Sequence, residues 1–103
     1  KNIIIHDGDN IFPSEVEREI SHYAGVSEVV VAGVPDEVHG ECVAAVIVIG
    51  AETEFDQQDF HLFLSERLAE TKIPTRLLIL DELPLTRAGK ADRDMVKSLL
   101  VGD

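Results

Sequence analysis

The chain is poor in basic residues, in cysteine and in long apolar runs, and each shortage removes a class of function. Nine lysines and arginines stand against twenty aspartates and glutamates in 103 residues, a formal net charge of −11. So acidic a surface grips nucleic-acid phosphates poorly, and anionic lipid repels it. A single cysteine, Cys42, makes neither an internal disulfide nor a cysteine-rich metal site, and a reducing, cytoplasmic setting is expected. No apolar run reaches the ~18 residues of a membrane-spanning helix. Lys1-Asn2 leads straight into Ile3-Ile4-Ile5 and then into charge, which is no secretory leader. The chain has no initiator Met and opens on a β-like triplet, so a piece of a longer protein is expected. Internal repeats and low-complexity segments are also missing.

What is present suits one small domain. Hydrophobic residues make up 45% and charged residues 28%, close to globular averages, and a chain of this length can bury one modest core. The β-branched run Ile3-Ile4-Ile5 predicts a strand. His6 to Asn10 predicts a tight hairpin turn, with Gly8 and Asn10 tolerant of positive φ. Pro13 suits a first helical turn, and Ser14 with Glu17 matches a capping box. Val16, Ile20 and Tyr23 then share one helical face, and Gly25 closes the helix.

Val26 to Val34 and Cys42 to Ile49 are nearly continuous apolar runs and predict two buried strands. The short loop Pro35–Gly40 between them predicts antiparallel pairing. Phe60, Phe63, Leu64 and Leu68 mark a second helix that starts near Glu54 or Asp56, with Pro74 blocking its continuation. Arg76 to Leu80 predicts a third strand, and Met95, Val96, Leu99 and Leu100 a last helix. The expected fold is α+β: about three central strands flanked by helices, preceded by a short N-terminal β-hairpin.

Chemistry is sparse at this level. His6, His22, His39 and His61 are scattered, and no pair has a ligand spacing such as HxxxH, so no metal site is expected. Cys42 opens an apolar run with no base beside it, which suits an inert core thiol. His6-Asp7-Gly8-Asp9-Asn10 lacks the several glycines and the lysine of a phosphate-binding loop. The stretch Pro84-Leu85-Thr86-Arg87-Ala88-Gly89-Lys90 puts two cations on one loop of an acidic chain, where an ammonium beside glycine can reach a distant anion. Most exposed lysines only solvate, and residue types alone leave Lys90 in that class.

Four blocks in order carry a resemblance that covers nearly the whole chain. Lys1 to Glu17 is similar to the pattern K-D-x-I-x-x-G-G-E-N-I-Y-P-x-E-V-E. Val34-Pro35-Asp36-Glu37-Val38-His39-Gly40-Glu41 is similar to G-x-P-D-x-x-x-G-E. Lys72-Ile73-Pro74 is similar to K-x-P before a strand, and Leu83 to Arg93 to L-P-x-T-x-x-G-K-x-D-R. The chain thus resembles the C-terminal domain of adenylate-forming enzymes: acyl-CoA synthetases, peptide-synthetase adenylation domains and luciferases. It looks most like an AMP-dependent acyl-CoA synthetase.

The resemblance implies that residues 1–103 form a single lid domain, with Lys1-Asn2 at the hinge to a large N-terminal adenylation domain. It implies a ligase that uses ATP and Mg²⁺, bound mainly by that larger domain, to turn a carboxylic acid into an acyl-adenylate. A thiol from CoA, or from the pantetheine of a carrier protein, then attacks. Lys90 matches the adenylation lysine. Asp7, Gly8 and Asp9 match the loop that lines the thiol channel after the lid swings about the hinge at Asn2. The lid alone is expected to be inactive. Two departures stand out: Asn2 replaces the usual charged hinge residue, and Asp7 replaces the first glycine of the usual pair, which weakens the expectation of CoA as acceptor. Alternatives are a lid from an amino-acid- or acyl-activating enzyme that loads a carrier protein, or a freestanding non-catalytic interaction module.

Overall fold

The computed structural model describes residues 2–102. In chain order it holds β1 (Ile4–His6), β2 (Asp9–Ile11), α1 (Pro13–Ser21), β3 (Val26–Asp36), β4 (Gly40–Ile49), α2 (Gln57–Ser65), a 3₁₀ turn (Glu70–Lys72), β5 (Arg76–Leu80) and α3 (Arg93–Val101). This is the expected α+β class. The hairpin does more than precede the sheet, because it joins it: His6 pairs with Gly40 at the start of β4. All five strands therefore form one sheet.

β4 is the axis of the fold. It runs antiparallel to β3 over a long ladder from Val26–Ile49 to Asp36–Gly40. On its other side it pairs with β5, from Ala44–Arg76 to Val48–Leu80, in parallel. The chain between β4 and β5, which includes α2, is the crossover that parallel pairing requires. Alternation along β4 divides two cores. Val43, Ala45 and Ile47 face Val16, Ile20, Phe60 and Leu64 from α1 and α2. Cys42, Ala44, Val46 and Val48 face Val96 and Leu100 from α3. A strand buried on both faces reads as an unbroken apolar run, which is how Cys42 to Ile49 reads in the sequence.

Local chemistry sets the ends of the elements, and three expectations are corrected here: the capping box, the reach of α1 to Tyr23 and Gly25, and the place of Leu68 on α2. Phe12, in extended conformation, is the N-cap of α1 and gives no side-chain cap, while Pro13 takes the first helical position. Ser14 lies one residue too far inside the helix to cap it. Glu17 turns away as well, and its Oε2 accepts from the Val31 amide at 2.9 Å and from Arg93 Nη1 at 3.2 Å. The Ser14–Glu17 capping box is thus absent. α1 also ends at Ser21, before Gly25, and Tyr23 lies beyond it in an edge-on aromatic cluster with Phe55, Phe60 and Phe63. α2 and α3 are capped by carboxylates: Asp56 accepts from the Gln58 and Asp59 amides, and Asp92 from the Met95 amide. α2 closes at Ser65, well before Pro74, with Leu68 buried in the connection that follows.

Candidate functional site

Two loops carry the residues singled out in the sequence. The first is the tip of the β1–β2 hairpin. Asp7 and Gly8 both adopt positive φ, 52° and 85°, the pattern of a two-residue turn whose twist matches its strands. Glycine takes that conformation freely, and Asp is among the few other residues that tolerate it. Asp7, Gly8 and Asp9 are all exposed, and a side chain at Gly8 would meet nothing within 4 Å. The tip is tethered to the β3–β4 loop, since the Asp7 amide donates to the His39 carbonyl at 2.9 Å.

That β3–β4 loop is itself pinned. Asp36 Oδ2 accepts from the amides of His39 at 2.8 Å and Val38 at 3.1 Å. Above all the His39 amide holds the Asp36 carboxyl below its ordinary value. Glu41 secures β1 from the same side by accepting from the Ile5 amide at 2.8 Å. As a result the tip gathers side chains that are far apart in sequence. Asp7 Oδ2 lies 2.9 Å from His39 Nδ1 and 3.5 Å from His6 Nε2, and the two imidazoles stack with centroids 4.5 Å apart. Sequence reasoning missed this grouping, because only the His6–Gly40 pairing brings β1 beside His39. Cys42 lines the same cleft, of about 360 Å³. Burial, then the nearby Asp36 carboxylate, pushes its thiol above the ordinary value, consistent with the inert thiol expected from its apolar run.

The second loop precedes α3. The Thr86 amide donates to the Lys90 carbonyl at 2.7 Å, the Gly89 amide to the Thr86 carbonyl at 2.9 Å, and the Asp92 amide to the Pro84 carbonyl at 2.8 Å. Leu85 and Ala91 form an antiparallel bridge. The loop is therefore a closed miniature hairpin, and Gly89 at φ 84° makes its reversal. Arg87 and Lys90 project from it and are exposed. Among the described residues Lys90 forms no ion pair, whereas Lys72 is held by Glu15 at 2.9 Å and Arg93 by Glu17 at 3.2 Å. Arg93 thus pairs with Glu17 of α1 rather than with its chain neighbour Asp92. It fastens the start of α3 to α1 and so gives the Lys90 hairpin a fixed base.

Of the two hinge positions, Lys1 lies outside the described residues. Asn2 is exposed and lines a cleft of about 220 Å³ together with Gly33, Arg93 and Lys97. No helix among the described residues is long and apolar enough to cross a membrane.

Known proteins resemble this chain in sequence and in fold. A 2-succinylbenzoate–CoA ligase of Listeria monocytogenes is 43% identical over 93% of this chain and 20% of its own length. A fatty acid–[acyl-carrier-protein] ligase, ScoC, of Streptomyces coeruleorubidus is 36% identical over 100% of this chain and 20% of its own. The crystal structure of apo MatB from Rhodopseudomonas palustris superposes with a TM-score of 0.92 at 32% identity, covering 99% of this chain and 20% of that one. The chain spans about a fifth of the length of the curated relatives it matches. The family described as the AMP-binding enzyme C-terminal domain matches residues 15–90, a span that takes in the β3–β4 loop and Lys90, and the chain belongs to that family.

Proposed function

We propose that this chain is the mobile C-terminal domain of an AMP-forming acid–thiol ligase, and that Lys90 is its adenylation lysine. The observation that carries the reading is the state of Lys90: an exposed ammonium on a hydrogen-bonded hairpin, unpaired among the described residues of a domain with net charge −11. A lysine without an internal partner, on a rigid mount, is suited to a partner's anions. In the reaction, the acid's carboxylate attacks the α-phosphate of ATP, and pyrophosphate departs. Negative charge crowds around the α-phosphate in the transition state. An ammonium delivered there lowers the barrier by positioning and electrostatic stabilisation.

The thiol step belongs to the other loop. After rotation about a hinge at Asn2, the tip Asp7-Gly8-Asp9 faces the site, and the bare backbone at Gly8 leaves room for a pantetheine arm. The Asp7 carboxylate is engaged by His39, so it does not stand alone against the phosphates of CoA. CoA is the acceptor we favour. The ScoC relative, named for a carrier-protein acceptor, supports a carrier protein as the second reading. ATP and Mg²⁺ fall mainly to the larger N-terminal domain. The one cluster of ligand-type side chains among the described residues is two imidazoles and one carboxylate, a donor set that does not suit Mg²⁺. By itself the lid would be inactive.

The test is Lys90→Ala in the complete protein. Acid-dependent ATP–pyrophosphate exchange should fall by about 10²–10³-fold, the usual cost of removing one transition-state charge donor. Thioester formation from supplied acyl-adenylate should persist. Unchanged exchange would overturn the lysine assignment and favour a non-catalytic interaction module.

A further inference from the structure

The cluster at the hairpin tip has a hydrogen-bond imbalance. His6 Nδ1 lies 2.7 Å from the Glu41 carbonyl oxygen. That atom only accepts, so Nδ1 carries the proton, and in the neutral ring Nε2 is left with a lone pair. This lone pair sits 3.5 Å from Asp7 Oδ2, a second acceptor, at a side chain that is 10% exposed. A cation between these two acceptors would satisfy both. The same carboxylate oxygen meets His39 Nδ1 at 2.9 Å, and His6, Asp7 and His39 each bring one ligand-type atom within 4.8 Å of the other two.

From this geometry we propose that His6 Nε2, Asp7 Oδ2 and His39 Nδ1 form a three-ligand site for a divalent cation of the zinc class. A tetrahedron with metal–ligand bonds of about 2.0–2.2 Å has an edge of about 3.3–3.6 Å, which the 3.5 Å contact of His6 matches, whereas the 2.9 Å contact of His39 is a hydrogen-bond distance that must open for an ion to enter. The Glu41 carbonyl fixes the tautomer of His6, as an outer hydrogen-bond partner does for ligating imidazoles. The backbone bond from Asp7 to His39 holds the remaining two ligands in register. Imidazole lone pairs lie in the ring planes, so the two stacked rings do not converge on one ion as they stand, and the site requires the His39 ring, 41% exposed, to rotate out of the stack. Two imidazoles select zinc, nickel or copper over magnesium and calcium. The cleft of about 360 Å³ beside the cluster leaves room for an exogenous fourth ligand. The site needs no other domain and stands whether or not the ligase reading holds.

Zinc titrated calorimetrically into the chelator-stripped 103-residue chain tests it. One ion should bind per chain. Nitrogen-15 spectra should show His6 Nε2 and His39 Nδ1 shifting together, with His22 and His61 unmoved. His39→Ala and Asp7→Asn should each weaken binding at least tenfold, because losing an outer partner alone costs about 10–100-fold. Asn tolerates the positive φ of position 7 and keeps the turn, and His39→Ala leaves the turn untouched. Equal zinc affinity in wild type and His39→Ala would overturn the proposal. So would histidine nitrogens that stay unmoved as zinc is added.

Discussion

At the residue scale, partners decide what each charged or polar group does. Tyr23 is the chain's single tyrosine, and there is no tryptophan. Its hydroxyl donates to Asp59 Oδ2 at 2.6 Å. That hydrogen bond, then desolvation and the charges of Asp59 and Asp56, push its pKa to about 12. The raised value means that the folded state keeps the proton after the unfolded chain, near the ordinary ~10, has lost it. The stabilisation is therefore complete below pH ~10 and is lost as pH climbs through about 12. A phenolate absorbance titration at 295 nm should show a midpoint well above 10, and Asp59→Asn should bring it back toward 10. Lys90 is the opposite case. It forms no ion pair among the described residues, and on the proposed reading its partner is an anion outside this domain.

At the element scale, the ends of helices test whether local motifs mean what they spell. Ser14 and Glu17 have capping-box spacing, yet Phe12 is the N-cap and Glu17 bridges to Val31 and Arg93. Tertiary demand for the carboxylate took it from a local role that residue types alone would assign. Ser14→Ala should accordingly change stability by less than ~0.5 kcal/mol in urea unfolding. Asp92→Ala removes a real cap, the acceptor for the Met95 amide, and should cost about 1 kcal/mol. It should also loosen the Lys90 hairpin, whose base is the Asp92–Pro84 bond. Glu17→Gln is expected to weaken the link between α1 and α3 without melting either helix, read as faster amide exchange at Val31.

At the scale of the whole molecule, the sheet's middle strand carries the stability. β4 contributes Ala44, Ala45, Val46 and Ile47, all 0% exposed, to cores on both of its faces. Ile47→Ala should cost about 2–5 kcal/mol, a large share of the roughly 5–15 kcal/mol available to a domain. Ile79→Ala on β5, at a side chain 49% exposed, should cost far less, and urea midpoints compare the two directly. Small residues at positions 44 and 45 let helices approach from both sides, so Ala45→Leu should overpack and destabilise by about 1–3 kcal/mol. The two functional loops both depend on this frame: β4 begins beside the hairpin tip, and the α3 that follows the Lys90 hairpin packs on one face of β4.

Much of the fold was legible in the chain itself. The apolar runs of β3 and β4, the β5 segment Arg76–Leu80 and the α3 face of Val96 and Leu100 are written in short-range pattern, which physics reads locally. The family was legible too, because its loops are spelled in contiguous blocks such as Leu83 to Arg93. What the sequence by itself determined is therefore the elements, their class and the presence of Lys90 on a glycine-closed loop. Only the tertiary structure decided that β5 runs parallel to β4, that Glu17 serves Val31 and Arg93, and that Asp7 sits between His6 and His39. Those are contacts between residues far apart in the chain. A side chain's local neighbours dictate its backbone, but its partner is whichever group the packed sheet brings within a few ångströms.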